Sequence, residues 1–349
     1  MNSLNTYFRW PLFFTFVGLG LTFWLGWAST GTLGGAFSFF AIGAILAVLE
    51  ISLSFDNAIV NANKLKDMSP IWQRRFLTWG ILIAVFGMRI LFPLAVVAIA
   101  AQIGPIEAIR LAATEPDEYA RIMTDAHISI TAFGGTFLMM VALSYFVDEE
   151  KEVDWVRGIE ERLRACASIG GLEIALVLLI AIGVTLALPG QEAAEFLFAS
   201  VLGLLTFVLV ELLGNLLDAT EQARDITVKG GLGAFLYLEV LDASFSFDGV
   251  IGAFALTQHL FLIAIGLAIG AFYVRSMTIM LVERKTLAQF RYLEHGAFYS
   301  VMALALIMFA QALLDIPELI TGLIGATLIG LALISSIRHN RMASGSIER

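Results

Sequence analysis

Cysteine, histidine and charged residues are all scarce in this sequence. One cysteine, Cys166, and four histidines occur among 349 residues, and only 15% of the residues are charged. A single cysteine excludes an intramolecular disulfide bond, and the scarcity of imidazole and thiol groups argues against a zinc or copper site. The 21 basic residues are scattered through short segments, so no basic patch for binding nucleic acid is expected.

Apolar residues, by contrast, are abundant. Hydrophobic side chains make up 59% of the chain, with 27 phenylalanines, and the mean hydropathy is +0.86. Several apolar runs are long enough to cross about 30 Å of hydrocarbon as helices, and the alternating segments typical of an outer-membrane barrel are not seen. The composition therefore predicts an all-α polytopic membrane protein whose surroundings are the lipid bilayer.

We predict ten transmembrane helices from the apolar runs. With the amino terminus and every second loop on one side, that side carries 17 lysines and arginines, and the other carries only Arg110 and Arg121. Because basic residues favour cytoplasmic loops, we expect both termini in the cytoplasm, at the inner (plasma) membrane of a bacterium. The predicted spans are 11–28, 36–61, 76–102, 128–147, 168–188, 196–217, 232–256, 258–282, 297–313 and 317–337.

A fourteen-residue motif occurs twice, at residues 47–60 and 239–252. Aligned without a gap, seven of the fourteen positions are identical, and Glu50 and Asp242 keep a carboxylate at another. The copies lie in the second and seventh spans, so the repeating unit has five helices and its two copies enter the membrane with opposite orientation. We predict two inverted five-helix repeats, residues 1–190 and 191–349, within one integral membrane domain.

The acids of the two motifs lie inside apolar runs, where a charge is costly and usually functional. Within each copy two acids are six residues apart, a spacing that places them about 120° apart on a regular helix. Helix breaks near Asp56-Asn57 and Asp248-Gly249 would bring the acids of each copy together, because asparagine and glycine tolerate a non-helical backbone. We therefore predict a break in each copy.

These side chains are predicted to bind a divalent cation. They offer carboxylate, hydroxyl and amide oxygens with no histidine or cysteine nearby, which favours Mn²⁺, Ca²⁺ or Mg²⁺. Several carboxylates in one cavity could not all stay ionised without a cation, so metal binding should release protons. The predicted ligands are Glu50, Asp56, Asn57, Glu239, Asp242 and Asp248, with Ser54, Ser246, Arg89, Arg275, Glu173 and Glu211 in supporting positions.

The segment E-I-S-L-S-F-D-N and its second copy, D-A-S-F-S-F-D-G preceded by Glu239-Val240-Leu241, resemble the paired acidic motifs of the TerC family. The glycine-to-arginine intervals that end at Arg89 and Arg275 are similar as well, and the resemblance covers about residues 36 to 313. The layout looks like the branch labelled as a domain of unknown function.

This resemblance implies membership of the LysE-like transporter superfamily. Some relatives in it are implicated in manganese efflux, and others are named for tellurite resistance. The resemblance also implies that the six predicted metal ligands fall on the family's metal-site positions.

Together these features predict a transporter of divalent cations that works by alternating access and exchanges the cation for protons. Mn²⁺ efflux is the activity that we expect. The cation, Mn²⁺ or Ca²⁺, is its substrate, and neither enzymatic activity nor a permanent cofactor is expected. Two alternatives stay open: an intramembrane aspartyl hydrolase with Asp56 and Asp248 as its dyad, and a proton-coupled exporter of an oxyanion or small molecule that contacts Arg89 and Arg275. The direction of transport, a homodimeric state and full crossing by the ninth and tenth spans also stay open.

Overall fold

Helices are the regular elements of the computed structural model, which describes residues 3–80, 82–148, 151, 153–165, 171–224, 231–314 and 316–347. No strand occurs in these residues, which confirms the all-α prediction. Two π-helical segments, Phe76–Gly80 and Ile83–Leu91, precede α5. The helices are α1 Ser3–Thr30, α2 Leu33–Leu53, α3 Phe55–Leu65, α4 Pro70–Arg75, α5 Phe92–Ala100, α6 Pro105–Thr114, α7 Pro116–Asp125, α8 His127–Val147, α9 Arg157–Ala165, α10 Leu172–Ala187, α11 Gly190–Arg224, α12 Leu232–Leu256, α13 Leu260–Glu283, α14 Thr286–Gln289, α15 Leu293–Gln311 and α16 Glu318–Ile347.

Seven helices of the described chain are long and apolar enough to cross a membrane. Their exposed faces carry large apolar side chains, among them Phe16, Trp24 and Phe198, each more than half exposed. Such a surface is unfavourable in water but stable in hydrocarbon, where a helix satisfies its own backbone hydrogen bonds. The chain is therefore an integral membrane protein, as predicted.

Among the described residues, each of the ten predicted spans contains helical structure, but the helices of the third, fifth and seventh spans are not among the seven long and apolar enough to cross a membrane. The third span is the least regular, since its π-helical segments lead into α5. The seventh, α12, is 25 residues long but carries three carboxylates, which lower its hydropathy. Both α15 and α16 contain apolar segments long enough for full crossings, in keeping with a ninth and a tenth span rather than a short re-entrant pair.

The helix break expected in the first motif copy is present, at Ser54. This residue leaves helical geometry with φ −98° and ψ 18°, and its backbone N–H donates to the Glu50 carbonyl at 3.0 Å. The next helix, α3, begins at the following residue, so Asp56 occupies its first turn. Backbone N–H groups at a helix start have no partner within the helix and favour a negative charge there.

The break predicted in the second copy is wrong. Helix α12 continues without interruption through Asp248 and Gly249 to Leu256. Glycine permits a non-helical backbone but does not require one, and an unbroken helix keeps its backbone hydrogen bonds satisfied within the membrane. The two copies of the motif therefore differ in backbone structure despite their shared sequence.

The chain packs as two compact units. Unit 1 comprises Met1–Phe55, Ser69–His127 and Leu238–Met280, and unit 2 comprises Asp56–Met68, Ile128–Tyr237 and Leu281–Arg349. Each unit therefore takes segments from both predicted repeats. The predicted repeats, residues 1–190 and 191–349, are defined by sequence duplication, whereas the two units are defined by packing. The repeat boundaries therefore stay a prediction.

Within unit 1, α1 and α2 approach closely because glycines face the contact. A Cβ atom on Gly26 would lie 2.7 Å from the Gly35 carbonyl oxygen, so only a residue without a side chain fits there, as is common between membrane helices. Helix α1 also stacks Phe14 on Phe272 of α13, with ring centroids 3.9 Å apart. These contacts hold α1, α2 and α13 together.

In unit 2, the wholly buried Glu160 of α9 organises a polar network. Its carboxylate accepts from Lys151 Nζ at 2.5 Å, from the Val156 backbone N–H at 2.9 Å and from the Tyr299 hydroxyl at 3.2 Å. A buried carboxylate is costly unless it is paired and hydrogen-bonded, and here it is both. The network fastens the segment before α9 to α15.

Candidate functional site

Glu50, near the end of α2, has a buried carboxylate that pairs with Arg89. The guanidinium Nη2 donates to Glu50 Oε1, and each residue is only 5% exposed. Arg89 lies in the π-helical segment Ile83–Leu91. The opposite charges of Glu50 and Arg89 offset part of the cost of burying each other. The predicted ligand Glu50 therefore has the Arg89 guanidinium as its counter-charge.

Two glycines border the Glu50 side chain within unit 1. A Cβ atom on Gly270 of α13 would lie 2.4 Å from Glu50 Cβ and 2.3 Å from its Cγ, and one on Gly249 would lie 3.2 Å from Oε2. Contacts below 3.0 Å are overlaps, so α13 approaches α2 this closely only because residue 270 is glycine. The position of the Glu50 carboxylate depends on that approach.

Replacing Gly270 with alanine should therefore destabilise the protein. The added methyl group overlaps the Glu50 side chain, and overpacking of this kind costs about 1–3 kcal/mol. Thermal unfolding of the detergent-solubilised protein measures the effect as a lower midpoint. Gly20→Ala in α1 is the matched control, because nothing lies within 4 Å of its added Cβ; equal midpoints for the two variants would contradict the packing argument.

Glu239 of α12 is buried without a hydrogen-bond partner. It is 9% exposed, and neither carboxylate oxygen has a partner among the described residues. A Cβ atom on Gly80 would lie 2.7 Å from Oε1, so the glycine makes room for the acid. Asp242 lies three residues further along α12, on the same face. Two acids thus approach each other in an apolar helix.

The remaining predicted residues of unit 1 are less fully described. The side chain of Asp248 lies outside the described residues, and no contact is assigned to it. Ser246 is buried, with 7% of its surface exposed. Arg275 of α13 is partly buried, and its Nε has no hydrogen-bond partner in the described part of the chain.

Asp56 and Asn57 lie in unit 2, at the start of α3. The Asp56 carboxylate accepts from the Asn57 backbone N–H and from the hydroxyl of Ser300 in α15, each at 2.8 Å. Asp56 is 5% exposed and Asn57 is 8% exposed. Asn57 Oδ1 has no partner among the described residues, so an oxygen ligand is left unused beside the carboxylate.

In unit 1, Glu50 contacts Arg89 and borders Gly249 of the second motif copy, and Glu239 shares a helix face with Asp242. Asp56 and Asn57 belong to unit 2. Among the described residues, no three His, Cys, Asp or Glu side chains are arranged to hold a metal ion. Because Asp248 is not covered by that statement, the six-residue ligand set stays a prediction.

Comparison with known proteins assigns a family. The family model described as "Protein of unknown function (DUF475)" matches residues 55–343. The chain belongs to this family. No curated protein and no solved structure matches the chain. The match bears out the expected family of unknown function but does not confirm the TerC name, and it leaves the function to be argued from the residues themselves.

Sequence reasoning missed two residues of this DUF475 protein that contact predicted ligands, Ser300 beside Asp56 and Gly270 beside Glu50. Ser300 lies in an apolar span with no motif around it, and its role follows only from its contact with Asp56. Gly270 had a detectable signal, because it follows Gly266 by four residues, and small residues at this spacing often mark close helix packing.

Proposed function

We propose that this protein transports a divalent metal cation across the membrane, with Mn²⁺ efflux as the principal activity. The observation that carries the proposal is the buried carboxylate of Glu239, whose two oxygens have no hydrogen-bond partner in the described chain. A carboxylate in an apolar helix requires a proton or a cation to offset its charge. A residue that alternates between the two suits a metal/proton antiporter.

The chemistry of the motif acids supports a hard or borderline cation. The proposal assigns the ion to the carboxylates of the two motifs, Glu50, Asp56, Glu239, Asp242 and Asp248, together with the Asn57 amide. Oxygen ligands of this kind favour Mn²⁺ or Ca²⁺ over zinc or copper. Metal binding displaces protons from such groups, and that displacement couples transport of the metal cation to movement of protons in the opposite direction.

Two further considerations support transport rather than catalysis. The motif occurs twice in helices of a membrane protein, as expected for inverted repeats that alternate access to an ion. The resemblance of the motifs to those of the TerC family, within the LysE-like superfamily, points in the same direction. The distribution of basic residues places both termini in the cytoplasm in this proposal.

Calorimetric titration of the detergent-purified protein with Mn²⁺, Ca²⁺, Mg²⁺ and Zn²⁺ tests the proposal. We expect Mn²⁺ to bind most tightly, and its apparent enthalpy to change between two buffers of different ionisation enthalpy because protons are released. The titration is repeated at two pH values, and binding should be tighter at the higher one, where fewer protons compete.

Glu107→Gln provides the matched control for this titration. Glu107 is an exposed acid of α6, so its loss removes a carboxylate of the same kind outside the motifs. Binding by this variant should equal that of the unmodified protein. Absence of binding for all four metals, or a clear preference for Zn²⁺, would overturn the proposal.

A further inference from the structure

Residues 70–91, which lead into the third predicted span, carry two neighbouring arginines on their surface. Arg74 and Arg75 lie at the end of α4, and both are exposed. No acidic residue occurs between Asp67 and Glu107 along the chain, and neither arginine forms an ion pair within the part of the chain that the structure describes. Like charges on neighbouring residues repel each other, so an anion from outside the chain would stabilise them.

The side chain of Arg75 is positioned by an aromatic ring. Its guanidinium lies over the Trp72 ring, 4.5 Å from the ring centroid. Such a cation–π contact uses the flat face of the guanidinium and leaves the N–H groups at its edge able to donate. Arginine binds phosphate through two parallel N–H groups, so a guanidinium held in this way is suited to a phosphate group.

A row of large apolar side chains continues from the arginines into the predicted span. Trp79, Leu82 and Phe86 follow Arg75 at intervals of four, three and four residues, and they are 63%, 48% and 54% exposed. This spacing and exposure place them along one outward side of the segment. We call the surface formed by Arg74, Arg75, Trp79, Leu82 and Phe86 the arginine–tryptophan surface.

The order of charged, aromatic and apolar groups on this surface matches the layers of a membrane. Four residues of helix rise about 6 Å, and the headgroup layer on each side of a bilayer is about 5–8 Å thick. With the two arginines at the level of the lipid phosphates, Trp79 therefore lies at the boundary with the acyl chains, where tryptophan is enriched. Leu82 and Phe86 then lie within the hydrocarbon.

Contacts on the opposite side of the segment fix which residues face outward. Arg89 pairs with Glu50 of α2, and a Cβ atom on Gly80 would lie 2.7 Å from Glu239 Oε1 of α12. All four residues belong to unit 1, as does the arginine–tryptophan surface. The direction in which this surface points is therefore set by packing within unit 1 and does not depend on a ligand.

We propose that the arginine–tryptophan surface binds one anionic phospholipid of the surrounding bilayer. The guanidinium groups of Arg74 and Arg75 bind the headgroup phosphate, and the apolar row contacts an acyl chain. In the proposed topology the two arginines face the cytoplasm, so the lipid comes from the cytoplasmic leaflet. This site lies outside the two motifs, and it does not depend on the transport function.

Native mass spectrometry of the detergent-purified protein with added phosphatidylglycerol or phosphatidylcholine tests the proposal. We expect one phosphatidylglycerol molecule to bind more tightly than phosphatidylcholine does. The double variant Arg74→Gln/Arg75→Gln should weaken binding of that molecule about 30-fold, because each arginine near an anionic lipid contributes about fivefold. Binding of phosphatidylcholine should not change, and added salt should weaken binding of phosphatidylglycerol to the unmodified protein.

Arg157→Gln/Arg162→Gln is the matched control for this experiment. Both arginines are exposed residues of α9 in unit 2, so their replacement removes the same charge from another part of the chain. Tight binding of phosphatidylglycerol should persist in this control. Equal weakening by the two double variants would show that overall charge attracts the lipid, and it would overturn the proposal.

Thermal unfolding provides a second test that also needs no transport. Phosphatidylglycerol should raise the unfolding midpoint of the unmodified protein, because a ligand that binds the folded state stabilises it, and should not raise that of Arg74→Gln/Arg75→Gln. Inorganic phosphate should not displace the lipid, since it has no acyl chain to contact Trp79, Leu82 and Phe86. Displacement by inorganic phosphate, or an equal midpoint shift in the double variant, would contradict a phospholipid site. Failure of the transport proposal would leave both results unchanged.

Discussion

Glu239→Gln is expected to abolish Mn²⁺ efflux from proteoliposomes while leaving the protein at least as stable as before. The Glu239 carboxylate makes no hydrogen bond among the described residues, so the amide loses none, and removal of a buried charge lowers the cost of folding. Loss of a buried charged partner typically costs about 2–5 kcal/mol of binding, which corresponds to about 30-fold to 4,000-fold weaker metal affinity. Functional residues often carry such a stability cost.

Asp56→Asn and Asp248→Asn should abolish transport as well, and for Asp56 the fold is expected to persist. An asparagine there can still accept from the Asn57 backbone N–H, and its amide nitrogen can donate to the Ser300 hydroxyl, so both contacts survive. Metal-dependent transport and thermal unfolding are measured on the same preparations, so that a loss of activity can be separated from a loss of structure.

Ser52→Ala is the matched control for these amide variants. Ser52 lies within the first motif copy, is exposed and donates to the Val48 carbonyl of its own helix at 2.8 Å, so its loss should leave transport intact. Normal transport by Glu239→Gln, Asp56→Asn and Asp248→Asn would show that the motif carboxylates do not bind the ion.

The second large effect is expected from separating the buried ion pair of Glu50 and Arg89. Arg89→Met leaves the Glu50 carboxylate buried without its partner, and such a change costs about 3–5 kcal/mol. The double variant Glu50→Gln/Arg89→Met removes both charges and should recover most of the lost stability. Transport should stay low in the double variant, because Glu50 is one of the proposed ligands. Thermal unfolding and the yield of folded protein in detergent measure the difference.

An exposed ion pair of the same protein provides the comparison. Arg121 pairs with Glu118 at 2.6 Å and with Asp125 at 2.9 Å, and its side chain is 61% exposed. Solvent screening limits exposed pairs to about 0–1 kcal/mol, so Arg121→Gln should barely change the unfolding midpoint. Equal unfolding midpoints for Arg89→Met and Arg121→Gln would contradict the argument that the buried Glu50–Arg89 pair stabilises the fold. So would a Glu50→Gln/Arg89→Met double variant that is no more stable than Arg89→Met alone.

The sequence by itself determined the class of the protein and the location of its helices. Apolar runs must form helices in a membrane because each backbone group needs a partner within its own segment. For this reason each of the ten predicted spans contains a helix in its described residues, and seven of these helices are long and apolar enough to cross a membrane. The motif spacing favoured a helix break in each copy, and the break at Ser54 lies within two residues of its predicted place, whereas α12 continues unbroken through the second copy. Residue types alone also indicated an oxygen-only set of candidate ligands.

Only the tertiary structure decided which side chain meets which. The two motif copies share half of their residues, yet the first is broken at Ser54 and the second is one continuous helix. Only the folded chain shows that Glu50 pairs with Arg89 and that the Glu239 oxygens lack a hydrogen-bond partner among the described residues. Sequence spacing relates residues within one helix, but contacts between helices depend on how each helix is rotated and how closely it approaches its neighbour. Gly270 and Gly80 set that approach here. The same reason explains why Ser300, which lies 244 residues from Asp56, could be found only in the folded chain.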